Sequence, residues 1–263
     1  MNLRGAKVLL TGATGGIGQA LAGGLSARGA EVILTGRRTD VLEPLAERLG
    51  GRAIAADLAD PAAVQALLDE AGEIDVLVAN AALPASGLLS DYSIDEIDRA
   101  LDVNLRAPIV MAKLVGERMS ARGRGHLVFI SSLSGKTASG QASLYNATKF
   151  GMRGFALALR EDLRPHGVGV STVFPGFIRD AGMFAEANVT LPRGVGTKSP
   201  QDVARATVRA IEKNVAEVDV APFGLRVGAL IGGAAPALAA AVQRRVGGDK
   251  ITQGLAEGQR GKR

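Results

Sequence analysis

Short apolar runs alternate with longer amphipathic stretches along the whole chain. Nearly continuous runs of Val, Ile, Leu and Ala predict strands that are covered on both faces. Such runs occupy residues 6–10, 31–35, 52–56, 75–78, 125–130, 167–174 and 217–220. Stretches with a period near 3.6 predict helices at residues 17–27, 61–71, 93–119, 143–163 and about 200–213. The repeated order of strand, helix and strand predicts parallel strands joined by right-handed crossovers, with helices on both faces of one sheet.

An irregular interval rich in glycine and proline, residues 177–199, interrupts this alternation. In an open α/β sheet such a segment follows the carboxyl end of a strand, where ligands bind. We interpret it as a lid over a binding cleft, and a surface loop is the alternative. Apolar side chains within it favour a lipophilic ligand, namely Met183, Phe184, Val189 and Leu191.

The composition excludes several kinds of site. The chain has no cysteine, which excludes a disulfide scaffold, a thiolate metal site and a cysteine nucleophile. Its two histidines, His126 and His166, are too few for a histidine-rich metal centre, so no metal site is expected. Aromatic residues make up 3% of the chain and Trp is absent, which argues against a surface that stacks on bases or sugars.

The net charge of +5 is concentrated at the end of the chain. Residues 243–263 hold six basic and two acidic residues, so the remainder, residues 1–242, is close to neutral. A nucleic-acid-binding face is therefore not expected. We interpret the basic C-terminal tail, residues 243–263, as a solvated terminus, and contact with an acidic partner or with lipid headgroups is the alternative.

No segment of the sequence predicts export or a membrane span. The first ten residues lack a basic region followed by a long apolar one. The uncharged run at residues 228–242 is too short for a transmembrane helix and contains three glycines and a proline. We therefore expect a cytoplasmic protein. We interpret residues 228–242 as a helix at the rim of a binding cleft or in a subunit interface, and attachment to a membrane surface together with the basic tail is the alternative.

A glycine-rich turn follows the first predicted strand and reads Thr-Gly-Ala-Thr-Gly-Gly-Ile-Gly over residues 11–18. Glycine allows the tight turn and the close backbone approach that a pyrophosphate requires, and the amides and dipole of the next helix face the anion. This motif predicts a dinucleotide site, and a purely structural turn is the alternative. The predicted contacts are Gly12, Thr14, Gly15, Gly16, Ile17 and Gly18.

The end of the second strand indicates which dinucleotide binds. A carboxylate there would bind the ribose 2′-hydroxyl of NAD, but Gly36 occupies the place, and Arg37 and Arg38 follow it. A guanidinium matches a phosphate in charge and in hydrogen-bond geometry, so we expect NADP(H) rather than NAD(H). The alternative is that both arginines face water. Asp57, after the third strand, either accepts a hydrogen bond from the adenine amino group or caps a turn.

A tyrosine and a lysine stand four residues apart in the predicted helix at residues 143–163. The spacing places Tyr145 and Lys149 on one face of that helix. A free tyrosine has a pKa of about 10, and a neighbouring ammonium together with an oxidised nicotinamide would lower it, which allows proton transfer at a carbonyl or carbinol oxygen. Ser132 follows the strand at residues 125–130, from where its hydroxyl can reach the same oxygen. The alternative for Tyr145 is a helix tyrosine at an interface.

These motifs together resemble the short-chain dehydrogenase/reductase family over roughly residues 3–222. Their order and spacing match the family throughout. The matching motifs are Thr11-Gly-x-x-x-Gly-x-Gly18, Asp57-Leu58, Asn80-Ala81, Asp102-Val-Asn104-Leu105, Ser132, Tyr145-x-x-x-Lys149 and Pro175-Gly176. We expect a single Rossmann-type doubly wound domain over residues 1–242, with a seven-stranded, mostly parallel sheet in the order 3-2-1-4-5-6-7.

The resemblance implies roles for four residues. Tyr145 would be the acid/base, Ser132 would polarise the carbonyl, Lys149 would hold the nicotinamide ribose and tune the tyrosine, and Asn104 would hold a water that relays protons to Lys149. It also implies cofactor contacts at Leu58, Asn80, Ala81, Pro175, Gly176 and Ile178. Family members form dimers or tetramers through two long helices, which correspond here to residues 93–119 and 143–163.

Two places depart from the family pattern. After the fourth strand the family has Asn-Asn-Ala-Gly, whereas this chain has Ala79-Asn-Ala-Ala82, which removes one polar side chain and adds a methyl near the cofactor. Asp180 stands near the position of a threonine that binds the nicotinamide carboxamide, and it either accepts from that group or turns outward.

The combined expectation is an oxidoreductase that transfers hydride between NADP(H) and a small-molecule carbonyl or secondary alcohol. A protein that binds NADP(H) and senses redox state without turnover is the alternative. The set of Asn104, Ser132, Tyr145 and Lys149 argues against that alternative, because a sensor does not need all four.

Overall fold

The computed structural model describes residues 1–187, 189, 191, 195–245 and 248–259. Within these residues one parallel sheet has seven strands in the order β3-β2-β1-β4-β5-β6-β7. The strands are β1 Lys7–Thr11, β2 Glu31–Gly36, β3 Arg52–Ala55, β4 Val76–Ala79, β5 Gly125–Ile130, β6 Val168–Pro175 and β7 Glu217–Val220. The predicted fold class and strand order are confirmed, and every predicted strand boundary lies within one residue of the observed one.

The boundaries are accurate because the central strands are buried on both faces. Every residue of β4, β5 and β6 is buried, so each of these strands is a continuous apolar run with little to disturb it. Such a strand is recognised in the sequence by an apolar run along its whole length, not by an alternation of apolar and polar residues.

Helices cover both faces of the sheet. The helices before the C-terminal region are α1 Gly16–Ser26, α2 Thr39–Arg48, α3 Pro61–Ala71, α4 Ile94–Leu101, α5 Ala107–Arg122, α6 Ser143–Leu163, α7 Gly182–Glu186 and α8 Pro200–Lys213. Apolar side chains of α1, α2 and α8 form the core on one face, and those of α3, α5 and α6 form the core on the other. The carboxyl ends of the strands, where the turn and loop motifs follow, are thereby held at one edge.

The helix predicted over residues 93–119 is present, but its geometry changes in the middle. A π-helical turn at Asp102–Arg106 separates α4 from α5. In a regular α-helix the carbonyl of Asn104 would accept from the amide of residue 108, but Pro108 has no N–H. The helix therefore widens at Asn104, and such a bulge often lies at a functional site.

The C-terminal region forms three helices: α9 Phe223–Ala234, α10 Pro236–Arg245 and α11 Gly248–Gln259. Helix α9 ends at Ala235, whose φ of −137° and ψ of 69° are not helical, and Pro236 then begins α10. Across the described ranges, no helix has both the length and the apolar character that a membrane crossing requires. The tail residues Arg260, Lys262 and Arg263, and residues 188, 190 and 192–194 of the predicted lid, lie outside the described residues.

One histidine is buried at the amino end of β5. The ring Nε2 of His126 lies 2.8 Å from the Ser171 hydroxyl, which donates at 2.6 Å to the carbonyl of Val215. Burial lowers the pKa of His126 to about 3, and the positive charges of the N-terminus and Arg160 add to this effect. His126 is therefore neutral in the folded protein at every pH above about 4.

We expect this histidine to make the protein less stable in mild acid. Between the folded pKa of about 3 and the ordinary value of 6.5, the unfolded chain binds a proton that the folded chain does not. The free energy of unfolding therefore falls as pH decreases, by about 2 kcal/mol between pH 7 and pH 5 from this group alone. Chemical denaturation of His126→Gln should show that much less pH dependence over this interval. The exposed His166 provides the control, because His166→Gln should retain the wild-type slope.

Candidate active site

The glycine-rich turn has a shape that only glycine permits. Gly12 has a φ of +65°, and a Cβ there would lie 2.7 Å from the Cα of Ala81. A Cβ on Gly18 would overlap the carbonyl oxygen of Gly12. The turn therefore packs directly against both the end of β4 and the first turn of α1.

Polar side chains fix this turn to the end of β4. The hydroxyl of Thr11 accepts from the amides of Asn80 and Ala81, both at 3.0 Å. The side-chain amide of Asn80 donates to the carbonyls of Thr11 at 3.0 Å and Gly12 at 3.1 Å. Asn80, predicted as a cofactor contact, thus also holds the shape of the cofactor turn.

The first turn of α1 is open to an anion. Its N-cap is Gly15, which has no side chain that could accept from the free amides of the helix. The nearby hydroxyl of Thr35 is buried without a hydrogen-bond partner among the described residues. An uncapped helix start, a turn with no room for a Cβ at Gly12 and Gly18, and an unpaired buried hydroxyl fit a dinucleotide phosphate and ribose.

Three arginines surround the end of β2. The guanidinium of Arg38 donates to the carbonyl of Thr14 at 2.7 Å. Arg99 lies 3.0 Å from Asp57 Oδ2, and Arg37 lies 3.9 Å from the same oxygen. Burial tends to raise the pKa of Asp57, but the amide of Ala59 and the two guanidinium groups outweigh it and hold the pKa below its ordinary value. Asp57 is therefore an anion at neutral pH, and the arginines leave a net positive charge there.

Ser132, Tyr145 and Lys149 converge at the end of β5. Ser132 makes a side-chain hydrogen bond to Tyr145, and its oxygen accepts from the amide of Ser134 at 3.1 Å. The ammonium of Lys149 lies 5.5 Å from the centre of the Tyr145 ring and donates to the carbonyl of Ile130 at 3.3 Å. Two hydroxyls and one ammonium are thus assembled around one position.

Burial dominates the acidity of this group. It raises the pKa of Tyr145, and the hydrogen bond from Ser132 opposes that rise only in part. Burial also lowers the pKa of Lys149, which is 3% exposed, to about 8. Lys149 therefore carries its charge at neutral pH, while Tyr145 holds its proton. The lowering of the Tyr145 pKa by Lys149 together with an oxidised nicotinamide stays a prediction.

Asn104 lies in the π-helical turn and is bound by a neighbouring loop. Its Oδ1 accepts from the amide of Leu83 at 2.6 Å, and its Nδ2 donates to the carbonyl of Leu83 at 3.0 Å. The side chain is 2% exposed and therefore anchors this loop. Oδ1 and Nδ2 of Asn104 each make one of the two hydrogen bonds that they can form, so each can bind one further partner.

Sequence reasoning missed the residues that hold the loop after Ser132. Asn146, beside Tyr145, donates to the carbonyls of Ser134 at 2.7 Å and Thr137 at 3.1 Å. Lys136 in the same loop pairs with Asp219 at 2.7 Å and Glu217 at 3.0 Å, both in β7. Lys136 is far in sequence from its two partners on β7, so no local sequence pattern indicates this pairing.

A cleft of about 1340 Å³ connects the turn to the hydroxyl pair. All the predicted catalytic and cofactor-binding residues line it except Asn104. Asp180 lies outside it, because its side chain is 72% exposed and pairs with Arg179 at 3.4 Å. The remaining wall comes from α7 and from the C-terminal helices, through Met183, Phe184, Leu225, Ala229, Ile231, Leu238 and Leu255 among others. The helix predicted at the rim of the cleft is therefore present there, as α9 and α10.

Comparison with known proteins gives a consistent set of relatives. A family model described as short chain dehydrogenase matches residues 6–191. The ketoacyl reductase HetN of Nostoc sp. is 35% identical over 227 residues, 83% of this chain and 79% of that protein. The 3-oxoacyl-[acyl-carrier-protein] reductase FabG of Escherichia coli is 34% identical over 184 residues, 68% of this chain and 75% of that protein.

A solved structure shares the same fold. The short-chain dehydrogenase from Sphingobium yanoikuyae in complex with NADPH is similar to this chain with a TM-score of 0.76 and 28% identity. The similarity covers 89% of this chain and 95% of that one.

We expect Gly18→Ala to weaken dinucleotide binding by at least about tenfold, because its methyl would displace the Gly12 carbonyl and with it the turn. Fluorescence titration with a reduced nicotinamide dinucleotide measures this directly. Gly23→Ala, in the same helix, is the matched control, since a Cβ there meets nothing within 4 Å. Equal binding by the two variants would contradict the assignment of the turn.

Proposed function

The chain belongs to the short-chain dehydrogenase family of oxidoreductases, and on that premise we propose that it reduces a ketone on a lipophilic compound with NADPH. The observation that carries this proposal is the convergence of the Ser132 and Tyr145 hydroxyls beside the buried Lys149. These groups share one cleft with the glycine-rich turn.

The protonation states of the site favour reduction. A carbonyl oxygen placed between the hydroxyls of Ser132 and Tyr145 accepts a hydrogen bond from each, which polarises the C=O bond. Tyr145 enters the reaction protonated and gives its proton to that oxygen as negative charge develops there. A dinucleotide bound at the glycine-rich turn would supply the hydride to the carbonyl carbon.

Lys149 acts on the tyrosine through its charge. With a pKa of about 8, its ammonium is charged at neutral pH and favours the phenolate that remains after Tyr145 has given up its proton. The ammonium has two further hydrogen-bond donors for the nicotinamide ribose hydroxyls. After the reaction, Tyr145 would regain its proton from solvent through a water at the widened turn around Asn104.

The charges at the end of β2 support NADP(H). Arg37 and Arg38 both line the cleft where the adenosine ribose of a dinucleotide would lie. Asp57 is nearby, but Arg99 neutralises it, so it does not repel a 2′-phosphate. The similar short-chain dehydrogenase from Sphingobium yanoikuyae, solved in complex with NADPH, supports this choice.

The walls of the cleft support a lipophilic ketone. The substrate half is formed by Leu133, Phe177, Met183, Phe184, Leu225 and Ile231 with the small residues Gly228 and Ala229. Two relatives have names that specify ketoacyl substrates, in which a ketone is carried on an acyl chain. A ketone near one end of an aliphatic chain fits both observations, because the polar group meets the hydroxyls and the chain meets the apolar wall.

A homodimer through α5 and α6 is part of the proposal. A shallow apolar groove of about 460 Å³ runs between these helices. It is formed by Ile109, Ala112, Gly116, Phe155, Leu159 and Leu163. Leu157 and Phe150 are further exposed large apolar residues of α6, on another side of the helix. Sedimentation velocity measures the assembly.

We expect Tyr145→Phe to lose at least about a thousandfold of the reduction rate, because no other proton donor occupies its place. NADPH binding should remain within a factor of about two, since the ring is kept. The rate is followed as loss of the nicotinamide absorbance with a panel of long-chain ketones. Tyr92→Phe is the control, because it removes a buried tyrosine hydroxyl that donates to the Ser86 carbonyl at 2.9 Å. Wild-type turnover by Tyr145→Phe would overturn the mechanism.

We expect Arg37→Ala and Arg38→Ala each to raise the KM for NADPH by about tenfold and to leave that for NADH nearly unchanged, because only the former carries the 2′-phosphate. Steady-state kinetics with each dinucleotide provides the comparison. Arg48→Ala removes an equal charge from the far end of α2, where the arginine is exposed, and should leave both KM values unchanged. A preference for NADH in the unaltered protein would refute the assignment.

A further inference from the structure

The outer face of α9 and α10 is apolar and exposed. Phe223, Val227, Leu230 and Ile231 recur at spacings of four, three and one in α9, so they share one side of the helix. Leu238 of α10 continues the surface. Phe223 is 78% exposed and Leu230 is 74% exposed. These five residues are called here the apolar patch. They form one group of exposed large apolar side chains, whereas exposed apolar residues on most soluble proteins occur singly.

The opposite face of α9 fixes the orientation of the patch. Ala229 and Gly232 are buried, and a Cβ on Gly232 would overlap the hydroxyl of Thr137. A Cβ on Gly233 would lie 2.9 Å from the carbonyl of Lys136. The helix is therefore seated closely on the loop that follows Ser132, and it cannot rotate to bury the patch in its own fold.

The two helices that carry the patch contain basic but no acidic residues. Residues 223–245 include Arg226, Arg244 and Arg245 and no Asp or Glu. Arg226 is exposed in α9, and the other two stand at the carboxyl end of α10. Exposed apolar side chains on helices with this charge match a surface that is apolar inside and negatively charged outside, which is the surface of a bilayer with anionic headgroups.

A second copy of the chain is a poorer match for this surface. A two-fold contact pairs a patch with itself, so the arginines of one copy would face those of the other. No acidic residue lies between residues 220 and 248 to compensate them. Like charges brought together in an interface oppose association, whereas headgroup phosphates attract the same arginines.

The cleft opens at the patch. Ile231 and Leu238 line the cleft and are also exposed at the surface. Gly224 and Gly228 line it as well, and a Cβ on either would meet nothing within 4 Å. A lipophilic molecule that leaves the surface covered by the patch would therefore enter the cleft without crossing water.

We propose that α9 and α10 dock on the surface of an anionic bilayer, with the apolar patch among the headgroups and the upper acyl chains. The helices lie on the membrane rather than span it, since Ala235 and Pro236 divide them into two short segments. The mouth of the cleft then faces the bilayer, which becomes the source of the substrate. The docking itself does not depend on the proposed reduction, so a failure of either leaves the other standing.

Vesicle sedimentation tests the docking with the full chain. We expect the protein to sediment with vesicles of phosphatidylcholine mixed with phosphatidylglycerol, and to release into the supernatant as salt rises, because salt screens the arginines. The double variant Phe223→Glu/Leu230→Glu should bind at least about tenfold more weakly, since it loses two apolar contacts and gains two negative charges. Both residues are exposed, so the fold should persist, as circular dichroism can verify.

Ile94→Glu is the matched control, because Ile94 is 71% exposed in α4, away from the patch. It should bind the mixed vesicles like the unaltered protein. The proposal is overturned if the unaltered protein stays in the supernatant with mixed vesicles, or if Ile94→Glu loses as much binding as the double variant. It is also overturned if the double variant changes only the mass of the protein in sedimentation velocity, which would identify the patch as a contact between copies.

Discussion

The site depends on one constraint, the common direction of the strands. Because all seven described strands are parallel, their carboxyl ends meet at one edge, and each contributes one part of the chemistry there. β1 leads into the glycine-rich turn, β2 into the arginines, β4 into Asn80, and β5 into Ser132. The hydrogen bonds between Thr11 and Asn80 convert this shared edge into a fixed geometry, since they tie the turn of one strand to the end of its neighbour.

Burial of the tyrosine and lysine sets the protonation states of the site. Removing two ionisable groups from water favours the neutral form of each, which raises the pKa of Tyr145 and lowers that of Lys149. The two shifts have different consequences. Lys149 keeps its charge at neutral pH because its pKa remains near 8, while Tyr145 keeps its proton. A protonated phenol beside a charged ammonium holds the proton that a carbonyl oxygen would need in a reduction.

The sequence was sufficient for features that are local or that recur along the chain. Buried parallel strands are recognised in the sequence by unbroken apolar runs. The turn at Gly12 and the pair of Tyr145 and Lys149 are recognised as short motifs. The sequence was insufficient where the partner of a residue is distant along the chain. Arg99 meets Asp57 across 42 residues, and Lys136 meets β7 across 81 and 83 residues, so neither pairing has a local signal. The widened turn at Asn104 was only partly predictable. Pro108 indicates that one helical hydrogen bond is missing, but the helical period of apolar residues continues across the turn and does not show where the geometry changes.

The C-terminal helices show why an alternation of apolar residues can be read in two ways. The run at residues 228–242 suited both a helix at the rim of the cleft and a segment at a membrane surface, and these seemed to be alternatives. In the structure α9 has two apolar faces. One, with Ala229 and Gly232, packs on the loop beside Ser132, and the other, with Leu230, is exposed. A helix that must form the wall of an apolar cleft needs only its inner face to be apolar. The apolar outer face and the lack of acidic residues in α9 and α10 are not needed for that wall, and the proposed bilayer surface accounts for both.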